Sequence, residues 1–390
     1  MKFPFCIIFL CYSILIFSCG KSDALRGASE ASNISIEILS KELDLGIVAP
    51  DHFGGGIRNT FIFKDTLAYV IPSKPLDIIF IVDLKNKTFI DEIPLDPNFI
   101  TSPSGVQVIS EDSIFVSDMH FPFILLINSQ GEIRDSYNLF RENLWEMPAE
   151  GFANFGLYFG FGDTFRYLPE KRSFLVPLRQ IDQWFFVNEK KSFPAIGEYN
   201  IDKKEFVNLF GKYKGVYASD RNTLLPFYLS HPTVEIVDEY IYLCFAVDPY
   251  IYKYDFKGDL IQTKVATIPE FELGEPLEYN MEDFDEQGLR DYNKSNSYFG
   301  NFFFVKEQNC YVRIFFECVK NAHGKCSSKK VHALIFDKDL NLLEVKTLEE
   351  EYGGEDFTFQ IAYKNGFLSK LGKLNNDDEF IINSYYSLNK

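Results

Sequence analysis

The sequence predicts an all-β fold, a six-bladed β-propeller, from three observations. Short runs rich in Ile, Val, Phe and Tyr alternate with Asp, Asn, Gly and Lys. One strand–turn–strand phrase returns along the chain. A surplus strand near the N-terminus matches a missing strand at the C-terminus. With 41 Phe and 22 Tyr, and no long window carrying a 3.6-residue apolar period, the composition suits pleated, half-buried surfaces joined by tight turns.

The chain opens with Met1-Lys2 and an apolar run from Phe3 to Phe17. This run is shorter than the about 20 residues that a membrane-crossing helix needs. A positive start, an apolar centre and a small residue follow the grammar of an export signal. "IFSC" at 16–19 resembles a bacterial lipobox, in which the cysteine becomes lipidated and then N-terminal; Phe17 is bulkier than that pattern usually carries. The expected organisation is a signal peptide over 1–18, lipid on Cys19, a small-polar tether over 19–33 and one propeller over 34–390. Two or three acyl chains hold a soluble domain firmly at a membrane. No second apolar stretch is long enough to span a bilayer.

The first repeated phrase is "IIFIVDLKNKTFIDEI" at 78–93. It returns as "ILLINSQGEI" at 124–133, "YIYKYDFKGDLI" at 250–261 and "ALIFDKDLNLL" at 334–343, with a degenerate copy in "IGEYNIDKKEFVNLF" at 196–210. Each is a hairpin whose turn residues tolerate positive φ or bond their own backbone. Two short strands precede each hairpin, such as "GVQVIS" and "SIFVSDM" in the second unit. Four antiparallel strands recurring every ~40–50 residues make a propeller blade. The units fall at about 57–96, 104–140, 155–210, 230–268, 297–348 and 357–388. The last supplies three strands, and "ISIEIL" at 35–40 lacks a partner in its own unit. Pairing the two completes the last blade and closes the ring. A seventh blade would need a unit within 268–297, where strand-like runs are few.

These hairpins, with "SCGKSD" at the front, resemble the uncharacterised six-bladed, TolB-like propeller lipoproteins of Bacteroidota-type bacteria. The resemblance covers nearly the whole chain and rests on turn grammar. It implies export, a lipid anchor and a closed ring, and it carries over no catalytic residues.

The charge of −17, from 39 basic and 56 acidic residues without basic blocks, argues against nucleic acid. The expected place is the cell envelope, as an outer-membrane lipoprotein facing the periplasm or the exterior. Inter-blade loops and the loops between second and third strands should gather on one face. That puts His52, Arg58, Ser73, Lys74, Asp118, His120, Arg179, Gln180, His231 and Asp248 near a channel mouth. From these, Arg58, His120, Arg179, His231 and Asp248 are the candidate ligand-binding residues. Trp145 joins them from an aromatic, glycine-rich insertion at 141–169. A second, acidic insertion spans 269–297, with a short helix expected at 281–292. The bland alternative has the polar groups satisfying turn backbone and the insertions covering their own blades.

Familiar catalytic signals fail. "GKS" at 20–22 lacks the upstream glycine of a phosphate loop. "DKDLN" at 337–341 has Leu342 and Leu348 where a calcium loop needs Gly and Glu. HExxH and GxSxG are absent from the sequence. "CYVRIFFECVKNAHGKC" suits a Cys318–Cys326 bridge across a hairpin loop. Zinc is disfavoured because structural zinc uses CxxC-type knuckles. Cys244 and Cys310 read as packed free thiols. No cofactor or metal is implied. The preferred function is a noncatalytic binding module for a peptide, glycan or envelope protein. The alternative is a propeller hydrolase, lyase or cyclotransferase acting on glycans or peptides at the channel mouth.

Overall fold

The six blades appear in chain order in a computed structural model. It describes residues 37–48, 57–139, 155–157, 165–180, 186–187, 194–218, 223–226, 229, 232–278, 287–288, 291–352, 360–374 and 379–389. Blade 1 holds Ile57–Phe63, Leu67–Pro72, Ile78–Asp83 and Thr88–Pro94, paired in that order. Blade 2 (Pro103–Ser110, Ser113–Asp118, Phe123–Ile127, Ile133–Asn138) and blade 4 (Thr233–Val237, Tyr240–Cys244, Tyr250–Asp255, Leu260–Val265) repeat the meander. So does blade 5, with Tyr298–Val305, Cys310–Lys320, Cys326–Phe336 and Leu342–Tyr352.

Blade 3 departs from this regularity. Phe155–Leu157 and Arg166–Leu168 each pair with Ser173–Gln180, so its first strand is split where the insertion enters. Pro194–Asn200 and Glu205–Lys212 complete that blade. Blade 6 has Gln360–Tyr363, Gly366–Leu374 and Glu379–Asn389, and its fourth strand is Glu37–Val48 from the other end of the chain. The closing strand thus runs further than the sequence phrase suggested. Its 12 residues match a long partner, with Glu37 opposite Asn389 and Val48 opposite Glu379, and two irregularities between. Ser35–Lys390 forms one compact unit.

The hairpin grammar has a single chemical basis. In blade 1, Asp83 Oδ1 accepts the N–H groups of Lys85 and Asn86, each at 2.8 Å. Asn128 does the same for Gln130 and Glu132, Asp255 for Lys257 and Asp259, and Asp337 for Asp339 and Asn341, all within 3.1 Å. Such side-chain-closed turns explain why Asp or Asn opens each phrase. In the last three, the residue three positions on is Gly131, Gly258 or Leu340, each with φ between 61° and 86°. Asp337 thus spends its carboxylate on backbone, which accounts for the resemblance of "DKDLN" to a calcium loop.

Cores lie between blades. Tyr69, Ile71, Ile79 and Ile93 of blade 1 pack with Val106, Val108, Ile114 and Val116 of blade 2. Phe299, Phe302, Tyr311 and Phe315 of blade 5 pack with Tyr242, Cys244 and Ile251 of blade 4.

The acidic insertion is not a seventh blade. Its Leu277–Glu278 pairs with Thr223–Leu225, which pairs with Phe186–Val187, a three-stranded sheet drawn from three separate connections. Phe271, from the same insertion, stacks on Phe315 at 4.2 Å. A short helix, Tyr292–Ser295, starts at the last residue of the range where one was expected; 281–286 and 289–290 of that range lie outside the described residues. No helix among the described residues is long and apolar enough to cross a membrane.

Candidate functional site

The first strands of all six blades converge on one cavity of about 570 Å³. This volume lies within the ~300–1,000 Å³ common for small-ligand sites. Blade 1 contributes Asn59, Thr60 and Phe61; blade 2 contributes Val106 and Gln107; blade 6 contributes Ile361 and Ala362. Blade 3 lends Arg166, Tyr167 and Glu170, blade 4 lends Glu235 and Asp238, and blade 5 lends Asn301, Phe302 and Phe303. Glu170 and Asp238 belong to the turns after the first strands of blades 3 and 4. The cavity therefore reaches toward the face of those turns, opposite the loops that join successive blades.

Side chains bind neighbouring blades around this cavity. Gln107 donates through Nε2 to the Phe165 carbonyl at 2.7 Å and accepts the Tyr167 N–H at 2.8 Å. Arg166 donates to the Val234 carbonyl at 3.2 Å and lies 3.8 Å from Glu235. Glu235 accepts the Phe304 N–H at 3.3 Å. Three seams, 2/3, 3/4 and 4/5, are thus held by side chains reaching into the next blade. Thr60 Oγ1 is buried without a hydrogen-bond partner among the described residues.

The described residues expected at a channel mouth fall on the face of the loops that join successive blades, and they do not line the cavity. Asp118 is fully buried; it accepts N–H groups from Thr101, Ser102, His120 and Phe121, organising the turn and the entry into blade 2. Arg58 donates to Ser102 Oγ at 2.6 Å, and burial pulls its pKa down against the attraction of Asp118. Arg58 and Asp118 thus share one network, while the His120 side chain is exposed beside it. Asp248 is 1% exposed and accepts from Tyr250 N–H and Tyr252 O–H, at 2.9 and 2.8 Å. Burial raises its pKa. None of Arg58, His120 and Asp248 lines the cavity. Arg58 sits in the first strand of blade 1, and His120 and Asp248 sit on loops between second and third strands; backbone N–H groups and a tyrosine hydroxyl take up the two aspartates. The backbone of Arg179 pairs with Gly156; its side chain, together with His231, Trp145, His52 and Cys19, lies outside the described residues.

Blade 5 holds polar chemistry that sequence reasoning missed. Arg313 is fully buried. It donates to the carbonyls of Ala266, Phe245 and Asp248 at 2.7–3.1 Å and lies 3.5 Å from the Phe299 ring centre. Lys329 is 2% exposed, donates to the Asn296 carbonyl at 2.6 Å, and is pushed by burial to a pKa of about 7. His332 places Nε2 2.8 Å from Glu317 and Nδ1 3.2 Å from Thr347, with Phe271 over its ring. This hydroxyl–imidazole–carboxylate row satisfies a buried histidine, and none of its members lines the cavity. No sequence motif marks these residues, because their partners come from other strands and loops.

Cys318 and Cys326 are bridged across the blade 5 hairpin, Cα atoms 5.4 Å apart. Cys244 and Cys310 are buried free thiols, Cys244 pushed up to about 12 by burial. No cluster of three or more metal-ligating side chains occurs among the described residues.

A family model described as a domain of unknown function, DUF4221, matches residues 64–344. The chain belongs to the DUF4221 family. A DUF4221 member from Bacteroides vulgatus ATCC 8482 has a similar structure, with a TM-score of 0.60 at 14% identity, over 90% of this chain and 97% of that one. A Bacteroides fragilis NCTC 9343 protein named as a candidate for export gives 0.55 at 9% identity, over 91% and 96%. At these identities the likeness carries the DUF4221 fold alone. Among curated proteins, nothing matches.

Proposed function

We propose that this chain is a lipid-anchored, exported propeller that acts as a noncatalytic binding module for a peptide, glycan or envelope protein. The observation that carries the reading is the central cavity. Every blade contributes to its wall, which combines apolar residues with amides, a buried hydroxyl and charged groups. An apolar concavity with a few convergent polar groups is the usual form of a binding site. Much of its polar chemistry is already engaged: Gln107, Arg166 and Glu235 hold neighbouring blades. Such groups are rigidly placed, which suits recognition.

The anchor half rests on "IFSC" before a small-polar tether and on the export named for the Bacteroides fragilis neighbour. The closing strand begins at Glu37 beside Asn389, at the end of blade 6 that carries the Lys364-Asn365 turn.

Two experiments test the halves separately. Labelled palmitate should enter the wild type and not Cys19→Ser; equal labelling ends the anchor claim. The purified full chain should bind a member of a glycan and peptide array, and Ala362→Trp, which fills the cavity, should abolish that binding while the fold persists. Turnover of a bound glycan or peptide would move the assignment to the enzyme reading.

A further inference from the structure

The outer rims of the blades are not alike. Blade 4 ends on Leu260–Val265, which pairs with Tyr250–Asp255 on one side and, among the described residues, with no strand on the other. Nine large apolar side chains are well exposed among the described residues, and this six-residue strand holds three of them: Leu260, Ile261 and Val265. Tyr250, a fourth, stands opposite Val265. No other described strand holds more than one. A bare apolar edge is a template for another strand.

Charge is a second, independent observation. The outer strands of the other five blades each carry an acidic residue, Asp91, Asp135, Glu205, Glu344 and Glu37 among them. On a chain of net charge −17, such edges repel a second copy. Leu260–Val265 carries no acid. Its one charge, Lys264, donates to Asn341 of blade 5 at 2.8 Å.

The backbone is set for pairing. The Ala266 N–H donates to the Pro249 carbonyl at 2.8 Å. Bonded and open positions alternate along an antiparallel pair, so the N–H and C=O groups of Thr263 and Val265 point out of the blade. Leu260, Thr263 and Val265 stand opposite Tyr254, Tyr252 and Tyr250, which places all three on one face. The strand reads alike from either end: apolar at Leu260-Ile261, neutral at Thr263, apolar at Val265.

We propose that two copies of this chain associate by antiparallel pairing of their Leu260–Val265 strands, centred on Thr263. Two four-stranded blades then form one eight-stranded sheet about a dyad. The Thr263 residues exchange N–H···O bonds, and Val265 of each copy meets the Leu260-Ile261 end of the other. Lys264 lies across from Gln262, so no like charges meet. A six-residue seam is short, which places the association in the weak, transient class. This surface is separate from the central cavity, so the inference does not depend on what the cavity binds.

Sedimentation equilibrium of the full chain in detergent, from micromolar to near-millimolar concentration, tests the proposal. A monomer–dimer equilibrium is expected. Thr263→Pro removes an outward N–H and leaves the blade's own ladder bonds in place. Ile261→Glu gives this edge the acid that the other edges carry. Each should raise the dimer dissociation constant at least about tenfold. Ile90→Glu, at an equally exposed apolar residue on the outer strand of blade 1, should leave it unchanged. Thermal melts report the fold of each variant, and if Thr263→Pro melts early, Ile261→Glu carries the test at a side chain that is 55% exposed. A chain that stays monomeric throughout, or a dimer untouched by Ile261→Glu, overturns the proposal. So does an equal loss in Ile90→Glu, which would mark unspecific apolar contact.

Discussion

Blades 6 and 1 meet through oil, and blades 4 and 5 through oil pierced by a charge. At the first seam, Tyr363 and Leu368 pack against Ala68, Val70, Phe80, Val82 and Leu84. At the second, a comparable apolar cluster surrounds Arg313, whose guanidinium reads three carbonyls of blade 4 from a strand of blade 5. Apolar packing stabilises contact but tolerates small slips, whereas a planar fork of donors demands particular acceptor positions. The chain joins its two ends within blade 6, so closure there is already specified by strand pairing. The 4/5 seam follows a long insertion and has no such register. Arg313 supplies it.

The largest expected effect breaks that contrast directly. Arg313→Ala should destabilise the fold by about 3–5 kcal/mol, because it empties a buried site and strips carbonyls of their donor. Arg313→Lys should recover little, since one ammonium cannot reproduce the fork. Leu368→Ala at the apolar seam should cost about 2–5 kcal/mol by leaving a cavity. Denaturant unfolding measures all three, and an Arg313→Met variant as stable as wild type would erase the distinction. Next comes Gln107→Ala, which loses two bonds across the 2/3 seam and should cost about 1–3 kcal/mol.

A smaller effect sharpens the contrast through pH. Lys329 is protonated to about pH 7 in the folded chain, against an ordinary value of 10.5. Between those values the unfolded chain binds the extra proton, so stability rises as pH rises through that window, by about 1 kcal/mol from pH 6.5 to 8. Thermal melts across this range should show the rise in wild type and lose that increment in Lys329→Met. Smallest of all, Thr60→Val should raise stability by up to about 1 kcal/mol, because the wild-type hydroxyl is buried without a partner. A loss instead would mean that the hydroxyl finds a partner in solution.

Much of the ring was legible before any coordinates. "VDLKNK", "INSQGE", "YDFKGD" and "FDKDLN" announce hairpins because Asp or Asn at the first turn position bonds the backbone that follows it. That chemistry is local, so it survives in the sequence. The closing strand was legible for a related reason: a surplus at one end and a deficit at the other are counts of periodic segments. Its full reach to Val48 was not, since that depends on the length of a partner some 340 residues away.

The site followed the opposite rule. Asp118 and Asp248 carry the residue type and loop position of a ligand pocket, yet backbone and tyrosine hydroxyl donors consume them. The cavity is built instead from residues such as Thr60, Gln107, Glu170 and Asp238, a short group from each blade, the groups far apart in sequence. Sequence alone determined the strands, the turns, the blade count and the pairing of the ends, because each is encoded in short periodic stretches. Only the tertiary structure decided which face carries the cavity and which seam needs an arginine. Those outcomes depend on the register between blades, and no single stretch of the chain holds that register.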